Sequence, residues 1–138
     1  MTTVQNKAVV RTFLEKLDKN ISAIEEFFIP DCLAHLPGNP GPTDREGFQQ
    51  FVAMLYTAFP DLHHTVEEQI AEDDNVASII NVRGTHKGDF LGIAPTGRQV
   101  VFEDFMITRF QGGKVVELWA QLDALILLQQ LGVFQMPG

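Results

Sequence analysis

One cysteine, Cys32, is all that 138 residues contain, so no intrachain disulfide can form and a thiolate metal cluster is excluded. A lone cysteine is expected to pack as a small apolar side chain. Long apolar runs are missing too. Runs such as Ala124-Leu125-Ile126-Leu127-Leu128 are far too short to cross a bilayer. Met1 to Lys7 carry no apolar stretch of the kind a secretory signal needs, and a cytoplasmic location is expected. Basic residues are scarce. Ten Lys and Arg stand against 18 Asp and Glu, a formal net charge of −8. That balance repels phosphate backbones and anionic lipid, so neither nucleic acid nor a membrane surface is an expected partner.

Several catalytic signatures are also missing. There is no HExxH, no facial His-His-carboxylate spacing and no CxxC, so no metal is expected. His63-His64 does not supply a chelate, because neighbouring strand residues point to opposite faces. Gly112-Gly113 and the glycines from Gly88 to Gly97 lack the strand–loop–helix setting that cradles phosphate. Without a Gly-x-Ser-x-Gly elbow a serine hydrolase is not indicated. No motif implies a cofactor.

What is present reads as one domain over residues 1–138, with 45% hydrophobic and 20% charged residues. Val9, Val10, Phe13, Leu14 and Leu17 make a one-sided stripe, predicting a helix over 4–17. Ser22 with Glu25 three residues on predicts a capping box for a second short helix, with Phe27, Phe28 and Ile29 on its buried side and Pro30-Asp31 ending it. Residues 36–42 hold three prolines and two glycines and read as a constrained loop. A third helix starts at Thr43 or Asp44 and stops at Pro60. The period then changes to two. Strands are predicted from Leu62 towards Ile70, from Val76 to Thr85, from Arg98 to Phe110 and from Lys114 to Leu122, with turns at 72–75 and at Gln111-Gly112-Gly113. An amphipathic helix over Asp123 to Leu131 closes the chain. Helices followed by an antiparallel meander make an α+β fold, not a nucleotide-binding parallel sheet.

Residues 83–98, RGTHKGDFLGIAPTGR, resemble the pattern RGTHxGxFxGIxPTGR of the SnoaL-like polyketide cyclases, within the NTF2-like superfamily. So do Asp44-Arg45-Glu46-Gly47-Phe48, Phe59-Pro60-Asp61-Leu62, and the run from Gly113-Lys114-Val115-Val116-Glu117 through Trp119 to Gln129-Gln130-Leu131-Gly132. The resemblance spans nearly the whole chain. It implies a cone-shaped roll, a bent antiparallel sheet packed on N-terminal helices around an internal pocket, and a homodimer formed through the outer sheet face. Characterised cyclases of this family close a ring by an intramolecular aldol reaction, without metal or cofactor. Their acid/base aspartate falls here at Ala120, their strand histidine at Met106 and their pocket asparagine at Ala34. Three polar positions are therefore apolar, which suits a pocket for a small hydrophobic, carbonyl-bearing molecule.

Alternation supplies a replacement. If Met106 faces the hollow, Phe102 and Asp104 share its side while Glu103, Phe105 and Ile107 face out. Asp104 would then be a desolvated carboxylate, suited to acid/base work; a bulge would instead turn it to solvent. His86, at a strand end beside a Gly/Pro loop, is the second catalytic candidate, or else a histidine fixing that loop. His35 is expected in a segment roofing the cavity, as a polar contact. Met106, Ala120 and Phe102 are expected to line the pocket. Asp123 is either a helix cap or a contact at the pocket. Trp119 is expected to face away from Ala120 and pack under the first helix. Two functions follow: a cofactor-independent cyclase or isomerase using Asp104 and His86, or a non-catalytic protein that holds a hydrophobic small molecule or serves as a dimeric scaffold.

Overall fold

The structure is a computed structural model that describes residues 1–135 and 137. Helix α1 (Thr3–Leu17) opens with the capping box of Thr2 and Gln5, and Val10, Phe13, Leu14 and Leu17 form its buried stripe. The second helix, α2 (Ala23–Phe27), lacks the expected Ser22 cap. Asn20 takes that role, its side-chain oxygen accepting the Ser22 N–H at 2.9 Å, so Ser22 sits already inside helical backbone.

Phe28 and Ile29 do not continue α2. They begin a strand, β1 (Phe28–His35), that the sequence reading missed. It runs along the sheet edge, where Pro30 removes no necessary ladder bond, and its register shifts between Phe28 and Leu33. After the loop, Asp44 caps α3 (Arg45–Ala58) by accepting the Gly47 N–H at 3.0 Å. Then come β2 (His63–Glu72), β3 (Asn75–Thr85), β4 (Gln99–Gln111), β5 (Lys114–Leu122) and α4 (Ala124–Gln130).

The five strands lie in the order β1-β5-β4-β3-β2. Four form the expected antiparallel meander, while β1 pairs parallel with β5 and makes the sheet mixed. Gly112 and Gly113, both with positive φ (60° and 80°), close the β4–β5 hairpin. Helix α1 packs over β2 and β3, and α3 over β1, so both helices lie on one side of the sheet. Phe13 and Phe28 meet at 5.0 Å between ring centroids, and Phe28 and Phe48 at 5.1 Å, joining α1, β1 and α3 in the core.

Register assigns every strand a concave and a convex side. On β4 the residues Phe102, Met106, Thr108 and Phe110 are buried while Val101, Glu103, Phe105 and Ile107 are exposed. On β2 the phase changes. The register shift between Val66 and Glu68 keeps His64 and Val66 on the inner side but turns Ile70 outward to 67% exposure.

Candidate active site

Asp104 stands on the concave face, between Phe102 and Met106 along β4. It pairs with Ile80 on one side and Leu122 on the other. Its Oδ1 is enclosed and, among the described residues, has no hydrogen-bond partner. Burial pushes its pKa up to about 6, with the nearby His64 pulling the other way. A carboxyl group in that range exchanges protons readily near neutral pH.

His64 is the group that sequence reasoning passed over. It was weighed only as a metal ligand with His63. Its ring is 8% exposed, and Nδ1 lies 2.7 Å from Asp18 Oδ1. Asp18, the cap residue at the end of α1, also accepts the His64 backbone N–H at 2.9 Å and the Tyr56 hydroxyl at 2.7 Å. Burial would raise the Asp18 pKa, but the bonds from His64 and Tyr56 outweigh it and hold the carboxyl below its ordinary value. Tyr56 is pushed upward, by burial and then by its bond to Asp18, and remains a phenol. An acceptor-only carboxylate fixes the ring proton on Nδ1 and leaves Nε2 as the free nitrogen. The signal available in the sequence was the period-two phase that puts His64 inside with Val66; nothing local pointed to Asp18.

Asp104 and His64 are separated by β3 alone. Asp104 is opposite Ile80 and His64 opposite Val82, adjacent inward rungs. At about 4.8 Å per strand and about 3.3 Å per residue along β3, their backbones stand about 12 Å apart. Both side chains project to the same concave side.

Met106 and Ala120 pair directly across β4 and β5, both buried, with Phe102 on the same side. A cavity of about 370 Å³ opens nearby, walled by Phe51, Met54 and Leu55 of α3, Phe90, Leu122 and Leu128. Leu122 joins it to Asp104, its cross-strand partner. Such a volume lies in the range of small-molecule sites.

The remaining candidates fall elsewhere. His86 is fully buried, and its Nδ1 accepts both the Thr96 N–H (3.1 Å) and the Thr96 hydroxyl (2.9 Å), which leaves the proton on an unpartnered Nε2. It packs against Phe59 and follows Thr85, which pairs with Gln99 five rungs from Asp104, about 16 Å along the strand. Asp104 and His86 are therefore not brought together. His35 is not in a roof over the cavity. As an odd-numbered residue of β1 beside buried Ala34, it points to the convex face, bonds Glu117 at 2.8 Å and stacks on Trp119 at 5.1 Å. Trp119 faces away from Ala120 as expected, but it lies on that outer face at 37% exposure and not under α1. Asp123 caps α4, accepting the Ile126 N–H at 3.2 Å, and is exposed. Among the described residues no group of three His, Cys, Asp or Glu converges as a metal site, and no helix is long and apolar enough to cross a membrane.

A five-stranded mixed sheet packed on helices in this order defines an NTF2-like roll. The chain belongs to the SnoaL-like polyketide cyclase family, which its residues 8–131 match. It is 30% identical over 112 residues to the aklanonic acid methyl ester cyclase DauD of Streptomyces sp. (strain C5), covering 79% of this chain and 66% of that protein, just under two thirds of its length. Its structure resembles that of AclR from Streptomyces galilaeus, a proposed hydroxylase, with a TM-score of 0.90 at 30% identity over 99% of this chain and 91% of the other. IdmH from Streptomyces antibioticus, a proposed polyketide cyclase, superposes with a TM-score of 0.84 at 32% identity, covering 94% and 99% of the two chains.

Proposed function

We propose that the protein is a cofactor-independent acid/base enzyme that cyclises or isomerises a small, hydrophobic, carbonyl-bearing molecule of polyketide type. The observation that carries this reading is the Asp104 carboxylate, with its unpartnered Oδ1, on the concave face across β3 from the Asp18-held His64. Asp104 takes a proton from the carbon next to a carbonyl. His64, when protonated, donates from Nε2 to the developing enolate oxygen, and Asp18 stabilises the imidazolium. The enolate carbon attacks a second carbonyl, and the resulting alkoxide recovers a proton, so the product is an isomer and no oxidant is consumed. This pairing replaces the His86 role expected from sequence, because His64 and not His86 shares the hollow with Asp104. Asp104 also stands one inward rung from Ala120, so it serves the same hollow as the position where family cyclases carry their aspartate.

The chemistry of the walls fits a neutral, greasy ligand: Phe51, Met54, Leu55, Phe90 and Leu128 offer no charge. The exposed apolar residues Leu33, Phe105, Ile107 and Trp119 on the convex face support a homodimer with that face covered by a second copy. The single buried thiol, Cys32, suits a cytoplasmic setting.

Deuterium uptake tests the reaction. Aklanonic acid methyl ester and simpler β-keto esters are incubated in D2O and followed by proton NMR. The wild-type protein is expected to speed exchange next to the carbonyl, and Asp104→Asn and His64→Gln to slow it by about 10²–10⁴-fold. Full exchange by Asp104→Asn removes the assignment. Saturable binding with no exchange for any ester supports the binding-only alternative, which the apolar Met106, Ala120 and Ala34 favour.

A further inference from the structure

Two sequence motifs with no part in the proton chemistry meet in space at the end of α4. Gln130 comes from the Gln-Gln-Leu-Gly run that ends α4, and Arg98 ends the long Gly/Pro loop before β4. The pairing of β4 with β5 begins only at Asp104–Leu122. Asp123 N–H adds one last rung to Glu103 O at 2.9 Å. Beyond it, the outer edge of β4 has no strand neighbour. There the Gln130 carboxamide takes the place of a strand, accepting the Val101 N–H at 2.8 Å and donating to the Val101 carbonyl at 2.8 Å. Arg98 donates to the Gln130 carbonyl at 3.2 Å. Gly132 follows at φ 82°, with the guanidinium packed where a Cβ would lie 2.6 Å from Nη1. Arg98 in turn accepts the His86 N–H on its own carbonyl at 2.9 Å, tying this contact to the loop that supplies Phe90 and Leu91 to the mouth.

These bonds, together with Leu127 and Leu131 seated in the core, hold a short helix that is joined to β5 through one residue, Asp123. Helix α4 lays Ala124, Leu127 and Leu128 on the mouth and leaves Leu125 and Ile126 exposed on its other side. We propose that α4 is a lid over the cavity, and that the Gln130 carboxamide on the free edge of β4 is the latch that keeps it shut. Releasing the latch lets the helix swing about Asp123 and opens the path past Leu122 to Asp104. Gln130 and Arg98 are positioning residues: they touch no ligand and act through the helix. The lid rests on the reading of the cavity as the ligand site.

A gated cavity has a kinetic signature. When entry and exit both wait for the lid, a broken latch speeds both and leaves affinity nearly unchanged. The probe is the neutral dye Nile red, followed by stopped-flow fluorescence on the full chain. Gln130→Met keeps the bulk of the side chain and loses both bonds to Val101. Association and release are expected to accelerate together, about tenfold, with Kd changing less than about threefold. Leu125→Ser, on the outer side of α4, is expected to leave both rates alone. Release rising by itself, with Kd weakening in step, makes Gln130 a packing residue and overturns the lid, as does equal acceleration by Leu125→Ser. If the wild-type chain does not bind Nile red, the cavity as ligand site is what fails. Amide hydrogen exchange then judges the latch: exchange about tenfold faster at Val101 and across 127–131 in Gln130→Met, with β3 unchanged, supports it. Unchanged exchange at those positions refutes it.

Discussion

His64 Nδ1 lies 2.7 Å from Asp18 Oδ1, and the same carboxylate accepts the His64 backbone N–H at 2.9 Å through its other oxygen. One side chain from the end of α1 therefore fixes both the ring and the backbone of an inward residue on the edge strand β2. The geometry orients Nε2, and it ties the proposed proton donor to the docking of α1.

Asp18→Asn separates those two duties. Asparagine keeps an oxygen for one of these bonds but loses the charge that stabilises an imidazolium, so proton exchange on a β-keto ester is expected to fall by about 10²-fold or more. The Asp18 carboxyl is held below its ordinary pKa in the folded chain. Its contribution to stability is thus complete above the unfolded value, about 3.9, and is lost as pH falls through the lower folded value. Urea unfolding between pH 7 and pH 2 should show part of the wild-type acid sensitivity missing from Asp18→Asn. An identical pH profile for the two proteins would remove the ion pair from the stability argument.

Asp104 has the opposite sign. Its folded pKa is raised from 3.8 to about 6, so the native state binds that proton more tightly than the unfolded chain does. The contribution favours folding at acid pH and disappears as pH rises through about 6. A shift of this size corresponds to about 3 kcal/mol lost at pH 8. Asp104→Asn is expected to be more stable than wild type at pH 8 by roughly 1–3 kcal/mol, and close to it at pH 4, while inactive. Denaturant melts at both pH values measure this. A variant less stable than wild type at pH 8 would show that the carboxylate is satisfied in solution.

Alternation made the larger part of this legible. Period two placed Phe102, Asp104 and Met106 on one side of β4, and the structure has them on the concave face because the ladder runs through that stretch without a register shift on either side. The helix α3 was readable from the Asp44 cap and Pro60. The sequence reading failed where long-range pairing overrides local pattern. Phe28 and Ile29 follow a helix and precede a proline, so only β5 makes them a strand. His35 was misplaced for the same reason, since without β1 its outward direction cannot be derived. Asp18 and His64 are 46 residues apart, and no local spacing announces a contact made by folding α1 over the sheet.

The convex face offers a separate test. Phe105 (50% exposed) and Ile107 (43%) stand beside Trp119 on an apolar surface, with the His35–Glu117–Arg109 cluster alongside. The cost of leaving it in water is removed if a second copy covers it. Phe105→Glu with Ile107→Lys is expected to give monomers in analytical ultracentrifugation and to leave the fold unchanged, because both residues point away from the core. A wild-type chain that sediments as a monomer at tens of micromolar would end the dimer proposal.

Cys32 and Trp119 provide a last experiment, because each occurs once in the chain and they report on neighbouring strands. Cys32 is 1% exposed on the inner side of β1, and burial, with a smaller push from Asp44, raises its thiol pKa to about 11. At pH 8 only about one thiol in a thousand is ionised, so reaction with a disulfide reagent in native buffer should be slower than a free thiol by about 10²-fold from ionisation alone. Enclosure slows it further. Trp119 lies one strand away, opposite His35. If β1 leaves the sheet only when the whole domain unfolds, Cys32 labelling and Trp119 fluorescence should follow the same urea dependence. Labelling that runs ahead of the fluorescence change would mean that β1 peels away alone. The parallel edge pairing, interrupted by the register shift between Phe28 and Leu33, would then be a separately unfolding unit.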